Sequence, residues 1–106
     1  MEIEIRGKGK KAVVYLSGRV SGEYSLELSK TLAGFSKSEF DYIIVDLNEV
    51  EYIDSPGLGG IIYAYILLEK NNKQIVLAAP QNYVDTLFRD CTIDKKIKIV
   101  NSYDFS

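Results

Sequence analysis

Histidine is absent from the 106 residues. Zinc sites built on imidazole are therefore excluded, as are Ser–His and Cys–His catalytic pairs. One cysteine, Cys91, cannot form an internal disulfide or a thiolate cluster. That economy fits a reducing compartment, so a cytoplasmic location is expected. Cys91 follows an apolar helical pattern and is expected as buried filler, not a redox centre. Two prolines and eight glycines are too few for a linker-dominated chain. The net charge is −2 and no basic tract occurs, which makes a poor nucleic-acid binder. No apolar run approaches the roughly 18 residues that span a bilayer, so direct membrane insertion is not expected. The first six residues, Met-Glu-Ile-Glu-Ile-Arg, alternate instead of forming an apolar signal block.

What is present is ordinary globular composition, with 46% hydrophobic and 26% charged residues. This length suits a single domain over residues 1–106, because a second would have almost no core. Strand and helix patterns then alternate along the chain. Ile3 and Ile5 alternate with Glu2, Glu4 and Arg6, as in a half-buried edge strand. A lysine-rich turn leads to a β-rich run over 12–17 closed by Gly18, which predicts an antiparallel hairpin. Tyr24, Leu28, Leu32 and Phe35 fall on one helical face, with Ser21 as the expected N-cap. Residues 42–47 are too apolar for a strand with a wet face, and Glu49 and Glu51 follow in an expected solvent-facing connection. A helix apolar nearly all round spans 56–70, and of Tyr63 and Tyr65 at least one should cover the sheet. A fourth strand over 74–79, a short helix opened by Asn82, and a last strand around Ile97–Val100 precede a tail at 101–106. The order is β-β-α-β-α-β-α-β. It predicts an α/β fold with a mixed, mostly parallel sheet and right-handed crossover helices.

The informative segment is Ile53-Asp54-Ser55-Pro56-Gly57-Leu58-Gly59-Gly60, which starts the apolar helix. Ser55 reads as an N-cap and Pro56 suits the first helical position. Gly59 and Gly60 each cost about 1 kcal/mol against alanine in a helix interior. The compensation is close approach, either to the sheet or to a partner. A phosphate on Ser55 would meet the positive end of the helix dipole, within reach of the Gly57 and Leu58 amides. It would add roughly −1.5 to −2 charge beside Asp54. Residue chemistry alone leaves Ser55 open between a plain cap and a switch.

This segment resembles the motif of the STAS family, the anti-sigma factor antagonists. The family carries a strand ending in Asp-Leu-Ser or similar, then Met-Asp-Ser-Ser/Thr/Ala-Gly-Leu-Gly. Here Asp46-Leu47-Asn48 precedes Ile53-Asp54-Ser55-Pro56-Gly57-Leu58-Gly59. The likeness extends over essentially the whole chain in length and element order. It implies the STAS fold and a regulatory binding protein, not an enzyme. It also implies phosphorylation at Ser55 by a cognate anti-sigma factor that is an ATP-using serine kinase. The unphosphorylated form binds that kinase and frees a sigma factor; phosphorylation disables it and a PP2C-type phosphatase restores it. No cofactor is implied for this chain, since ATP belongs to the kinase. The implied partner surface comprises Asp54, Pro56, Gly57, Leu58, Gly59 and Gly60 with the loop Gly18, Arg19 and Ser21. The family often has Gly-Glu-Leu-Asp in that loop where this chain has Gly18-Arg19-Val20-Ser21, and Pro56 replaces Ser, Thr or Ala. The oligomeric state is left open.

Other readings compete. Catalysis needs converging acid and base groups, and no nucleophile motif occurs. Gly57-Leu58-Gly59-Gly60 does not match a phosphate-loop pattern, and no phosphate-binding lysine follows. A receiver-type domain would need an acidic cluster and paired lysine that are not evident. The stronger alternative is a STAS scaffold or transporter-associated binding module that works without phosphorylation.

Overall fold

The computed structural model describes residues 1–105, so Ser106 of the tail lies outside the described residues. The elements are β1 (Glu2–Lys8), β2 (Lys11–Val20), α1 (Ser25–Ala33), β3 (Tyr42–Ile53), α2 (Ser55–Lys70), β4 (Gln74–Ala78), α3 (Asn82–Asp90) and β5 (Lys98–Val100). The five strands lie in sequence order. β1 and β2 form the antiparallel hairpin, and each later neighbour pair is parallel. Successive right-handed crossovers to the next strand in one direction place every helix on the same face.

Alternation along the strands sorts the side chains between two faces. Val14, Leu16, Ile43, Val45, Leu47, Ile75 and Leu77 pack under the helices with Leu28, Leu32, Ile61, Leu68 and Phe88. The opposite face was expected to be covered because residues 42–47 lack polar alternation. It is covered by aromatic side chains and the tail, not by a second helical layer. Val13, Ile44, Val76 and Ala78 lie beneath Tyr15, Tyr42, Tyr103 and Phe105. The Tyr103 hydroxyl donates to Asp46 Oδ2. Burial, then the bond to Asp46, pushes the Tyr103 phenol well above its ordinary pKa.

Several boundaries differ from the sequence expectations. β3 continues through Glu49 and Glu51 to Ile53, so these exposed carboxylates ride on a strand, not in a connection. β2 likewise continues past Gly18 to Val20, because Gly18 takes φ +85° and absorbs a register shift. Ser21 precedes a single 3-10 turn, Gly22–Tyr24, and makes no side-chain capping bond; α1 begins only at Ser25. α3 does open at Asn82, with Gln81 as its N-cap. Ile5 is 47% exposed because β1 is the edge strand, while Ile3 packs against the core. Tyr65 packs against the core and Tyr63 is exposed, as expected of the pair. Cys91 is exposed. It falls seven residues after buried Val84, but α3 stops at Asp90 and the chain turns at Thr92 with φ +57°. Ile93 takes the buried place instead.

Candidate functional site

The site is built by strand length. β4 accompanies β3 only as far as Asp46 opposite Ala78, whereas β2 follows it to Val20 opposite Ile53. A two-stranded arm therefore runs beyond the main sheet and ends at Asp54 and Ser55. The chain then turns directly into α2. The expected partner segments, Gly18 to Ser21 and Asp54 to Gly60, are thereby brought side by side. The first is the terminal part of β2 and not a free loop.

Asp54 holds the junction. Its Oδ1 accepts from the Gly57 amide at 2.8 Å and its Oδ2 from the Gly22 amide at 3.0 Å. Its own N–H donates to the Val20 carbonyl at 3.3 Å and its carbonyl accepts from Leu58 at 2.9 Å. Asp54, not Ser55, is thus the N-cap of α2, with Ser55 at the first helical position and Pro56 at the second. The reason is tertiary. Both residue types cap well, but only the residue reaching Gly22 satisfies two separate backbone donors. The Gly57 and Leu58 amides are consequently committed within the fold and do not form the phosphate cradle expected for Ser55.

The glycines divide by face. A Cβ on Gly57 would stand 2.1 Å from the Val20 carbonyl oxygen, and one on Gly60 would stand 2.8 Å from that of Ser25. Both serve close internal approach. Gly59 has nothing within 4 Å and faces outward. Ser55, Pro56 and Gly59 are exposed, whereas Gly57, Leu58 and Gly60 are buried and support them from below. Pro56 also packs against Gly22, where an added Cβ would meet the proline ring carbon at 3.0 Å.

Arg19 lies across its guanidinium from Tyr52, 4.2 Å above the ring centroid. Tyr52 in turn stacks on Tyr83 of α3, with centroids 6.3 Å apart and planes inclined by 16°. The Gln81 side chain donates to the Asn48 carbonyl at 2.8 Å, tying α3 to the root of the arm. Tyr52 and Tyr83 were not anticipated from the sequence. The register pairing Arg19 with Tyr52 requires the full lengths of β2 and β3, and Tyr83 arrives from a distant helix.

Charge around this end is mostly negative: Glu49, Glu51 and Asp54 stand near Arg19. The described residues hold no grouping of acidic, cysteine or histidine side chains suited to a metal ion.

The pattern of the STAS domain matches residues 2–105. The chain belongs to the STAS family. Among curated relatives of this STAS protein is the anti-sigma-B factor antagonist of Listeria monocytogenes, 24% identical over 95% of this chain and 90% of that protein. An anti-sigma factor antagonist from Mycobacterium paratuberculosis has the same fold, with a TM-score of 0.85 at 18% identity, covering 97% of this chain and 87% of that one. The Bacillus cell fate determinant SpoIIAA in its phosphorylated form superposes with a TM-score of 0.73 at 14% identity, over 95% of this chain and 93% of that one. These likenesses agree with the mixed α/β sheet read from the element order and with the STAS fold that the resemblance implied.

Replacing Asp54 of the STAS junction with asparagine is expected to lower stability by about 2 kcal/mol. One charge-assisted bond is lost, because the new amide donor faces the Gly22 N–H. Urea unfolding of Asp54→Asn against the parent protein measures the difference.

Proposed function

We propose that this STAS protein is an anti-sigma factor antagonist switched by phosphorylation of Ser55. In this reading its unphosphorylated form binds an anti-sigma factor serine kinase and releases a sigma factor. A phosphatase of the PP2C type resets it. The observation that carries the reading is the placement of Ser55. It is exposed at the first position of α2, flanked by exposed Pro56 and Gly59, on a junction that Asp54 and Gly57 hold rigid.

The proposed contact surface is the rim: exposed Arg19 with half-buried Gly18 and Ser21 on one side, and exposed Ser55, Pro56 and Gly59 on the other. Asp54, Gly57, Leu58 and Gly60 hold that rim in place from beneath. The electrostatics favour an off-switch. A phosphate brings roughly −1.5 to −2 charge. Asp54 is adjacent and its nearest amide donors are already engaged, so the new charge is not neutralised within the chain. Burial of that charge against a partner then opposes binding by desolvation and repulsion.

The test is incubation with ATP and each anti-sigma kinase of the source organism, followed by intact-mass measurement and site mapping. One added phosphate, mapped to Ser55 and absent in Ser55→Ala, is the expected result. No phosphate from a kinase that modifies its own antagonist in parallel would leave the chain as a binding module without a switch.

A further inference from the structure

The charge of this chain is segregated along the sheet. Nine of its ten lysines cluster where the parallel strands begin, at the end opposite Ser55. The β1–β2 turn carries Lys8, Lys10 and Lys11. The Lys10 carbonyl accepts from the amides of Asp41 and Tyr42, which brings the turn beside the start of β3 and the Lys37 segment. The turn between α2 and β4 adds Lys70 and Lys73. The connection into β5 adds Lys95, Lys96 and Lys98.

Lys73 is consumed internally, with Nζ donating to the Ser38 carbonyl at 2.8 Å and Asp41 Oδ1 at 3.2 Å. The other lysines of the cluster are exposed. Glu39, Glu69, Asp90 and Asp104 are the further carboxylates of this end, Asp104 lining a cleft with Lys11 and Tyr42, and Asp94 is turned to Arg89 at 3.6 Å; the lysines still outnumber them. Between α2 and the start of β4 and β5 lies a cleft of about 380 Å³, lined by Tyr42, Tyr65 and Glu69 with Lys96 and Lys98.

A net charge of −2 conceals this pole. The molecule measures 32 × 27 × 26 Å. The Debye length at physiological ionic strength is about 8 Å, so the acidic end hardly acts on a surface met by the basic one.

We infer that the lysine-bearing end docks peripherally on an anionic lipid surface. The kind of cation favours a bilayer over a nucleic acid. The pole is built from lysine alone: Arg6 pairs with Glu4, Arg19 stands at the other end, and Arg89 is held by Asp85 and Asp94. Nucleic-acid recognition draws on the planar fork of arginine along a groove. Here point charges in separate turns spread across one end of the molecule, which suits a broad anionic plane. No described helix is long and apolar enough to cross a membrane, so the contact is adsorption. Docking this way turns Ser55 away from the lipid, free for a protein partner.

The inference does not depend on the switch proposed above, because Ser55 takes no part in it. The experiment is co-sedimentation of the full chain with vesicles of phosphatidylglycerol and phosphatidylcholine, against phosphatidylcholine alone, across a salt series. Each lysine near an anionic surface contributes about fivefold in affinity. Binding to the anionic vesicles only, weakening with salt, is expected. The combined Lys95→Gln, Lys96→Gln and Lys98→Gln variant should bind on the order of a hundredfold more weakly. Glu51→Gln, exposed on the arm at the opposite end of the sheet, should bind as the parent does. Circular dichroism of the triple variant confirms that it folds. Absence of anionic-vesicle binding, equal binding to neutral vesicles, full retention by the triple variant, or tighter binding to duplex RNA would each overturn the inference.

Discussion

Gly57→Ala is expected to destabilise the fold by about 3 kcal/mol, whereas Gly59→Ala, two residues away, is expected to stabilise it by up to about 1 kcal/mol. Helix propensity alone would give both substitutions the same favourable sign. The surroundings reverse one of them. At Gly57 the added carbon lies 2.1 Å from the Val20 oxygen, far inside any permitted contact. That oxygen cannot yield cheaply, because it accepts from the Asp54 amide at the base of the junction. Val20 is itself fully buried opposite Ile53. Relief therefore requires α2 to lift away from the β2–β3 arm, straining the Asp54 cap. At Gly59 the new methyl meets nothing and only reduces the freedom of the unfolded chain. Denaturant unfolding of both variants, with equal slopes confirming two-state behaviour, separates the two effects. A Gly57→Ala protein as stable as the parent would mean that the arm gives way more readily than this geometry allows.

The same pair shows how far the sequence can be read. The apolar run over 56–70 announces a buried helix, and Asp-Ser-Pro-Gly announces its start. Inward residues at 57, 60, 64 and 68 follow helical spacing, so the division between Gly57, Gly60 and Gly59 is partly written there. The identity of the cap is not. Asp54 and Ser55 are adjacent and chemically interchangeable as caps, and the decision rests on the Gly22 amide, 32 residues earlier. Strand ends were misplaced for a related reason. Glu49 and Glu51 look like a solvated connection, yet β2 alone is enough to hold them in a strand after β4 has stopped. Arg19 was legible as an unusual cation at the partner surface, but its seat on Tyr52 depends on two register shifts in β2 and β3. The tail is a further case. Tyr103 and Phe105 give no periodic signal, although they cover the apolar strip that helices leave bare.

Ser55→Asp is expected to weaken binding to the anti-sigma factor by about a hundredfold, while Ser55→Ala leaves binding within a fewfold of the parent. A hundredfold corresponds to about 3 kcal/mol, within the range for burying an unpaired charge beside a like one. Both variants keep the cap, because Asp54 and not Ser55 satisfies the Gly57 amide, so neither should unfold α2. This separates the switch from stability, which a cap role for Ser55 would have confounded. A carboxylate carries less charge than a phosphate and lacks its extra acceptors, so the phosphorylated protein should lose at least as much affinity. Arg19 supplies the internal control. Its guanidinium is engaged over Tyr52, and Arg19→Gln should not restore binding to Ser55→Asp if the penalty arises at the partner's surface. Titration calorimetry of the parent and these three variants against one anti-sigma factor measures the series. Equal affinity for the parent and Ser55→Asp would remove Ser55 from the interface and favour a binding module that operates without phosphorylation.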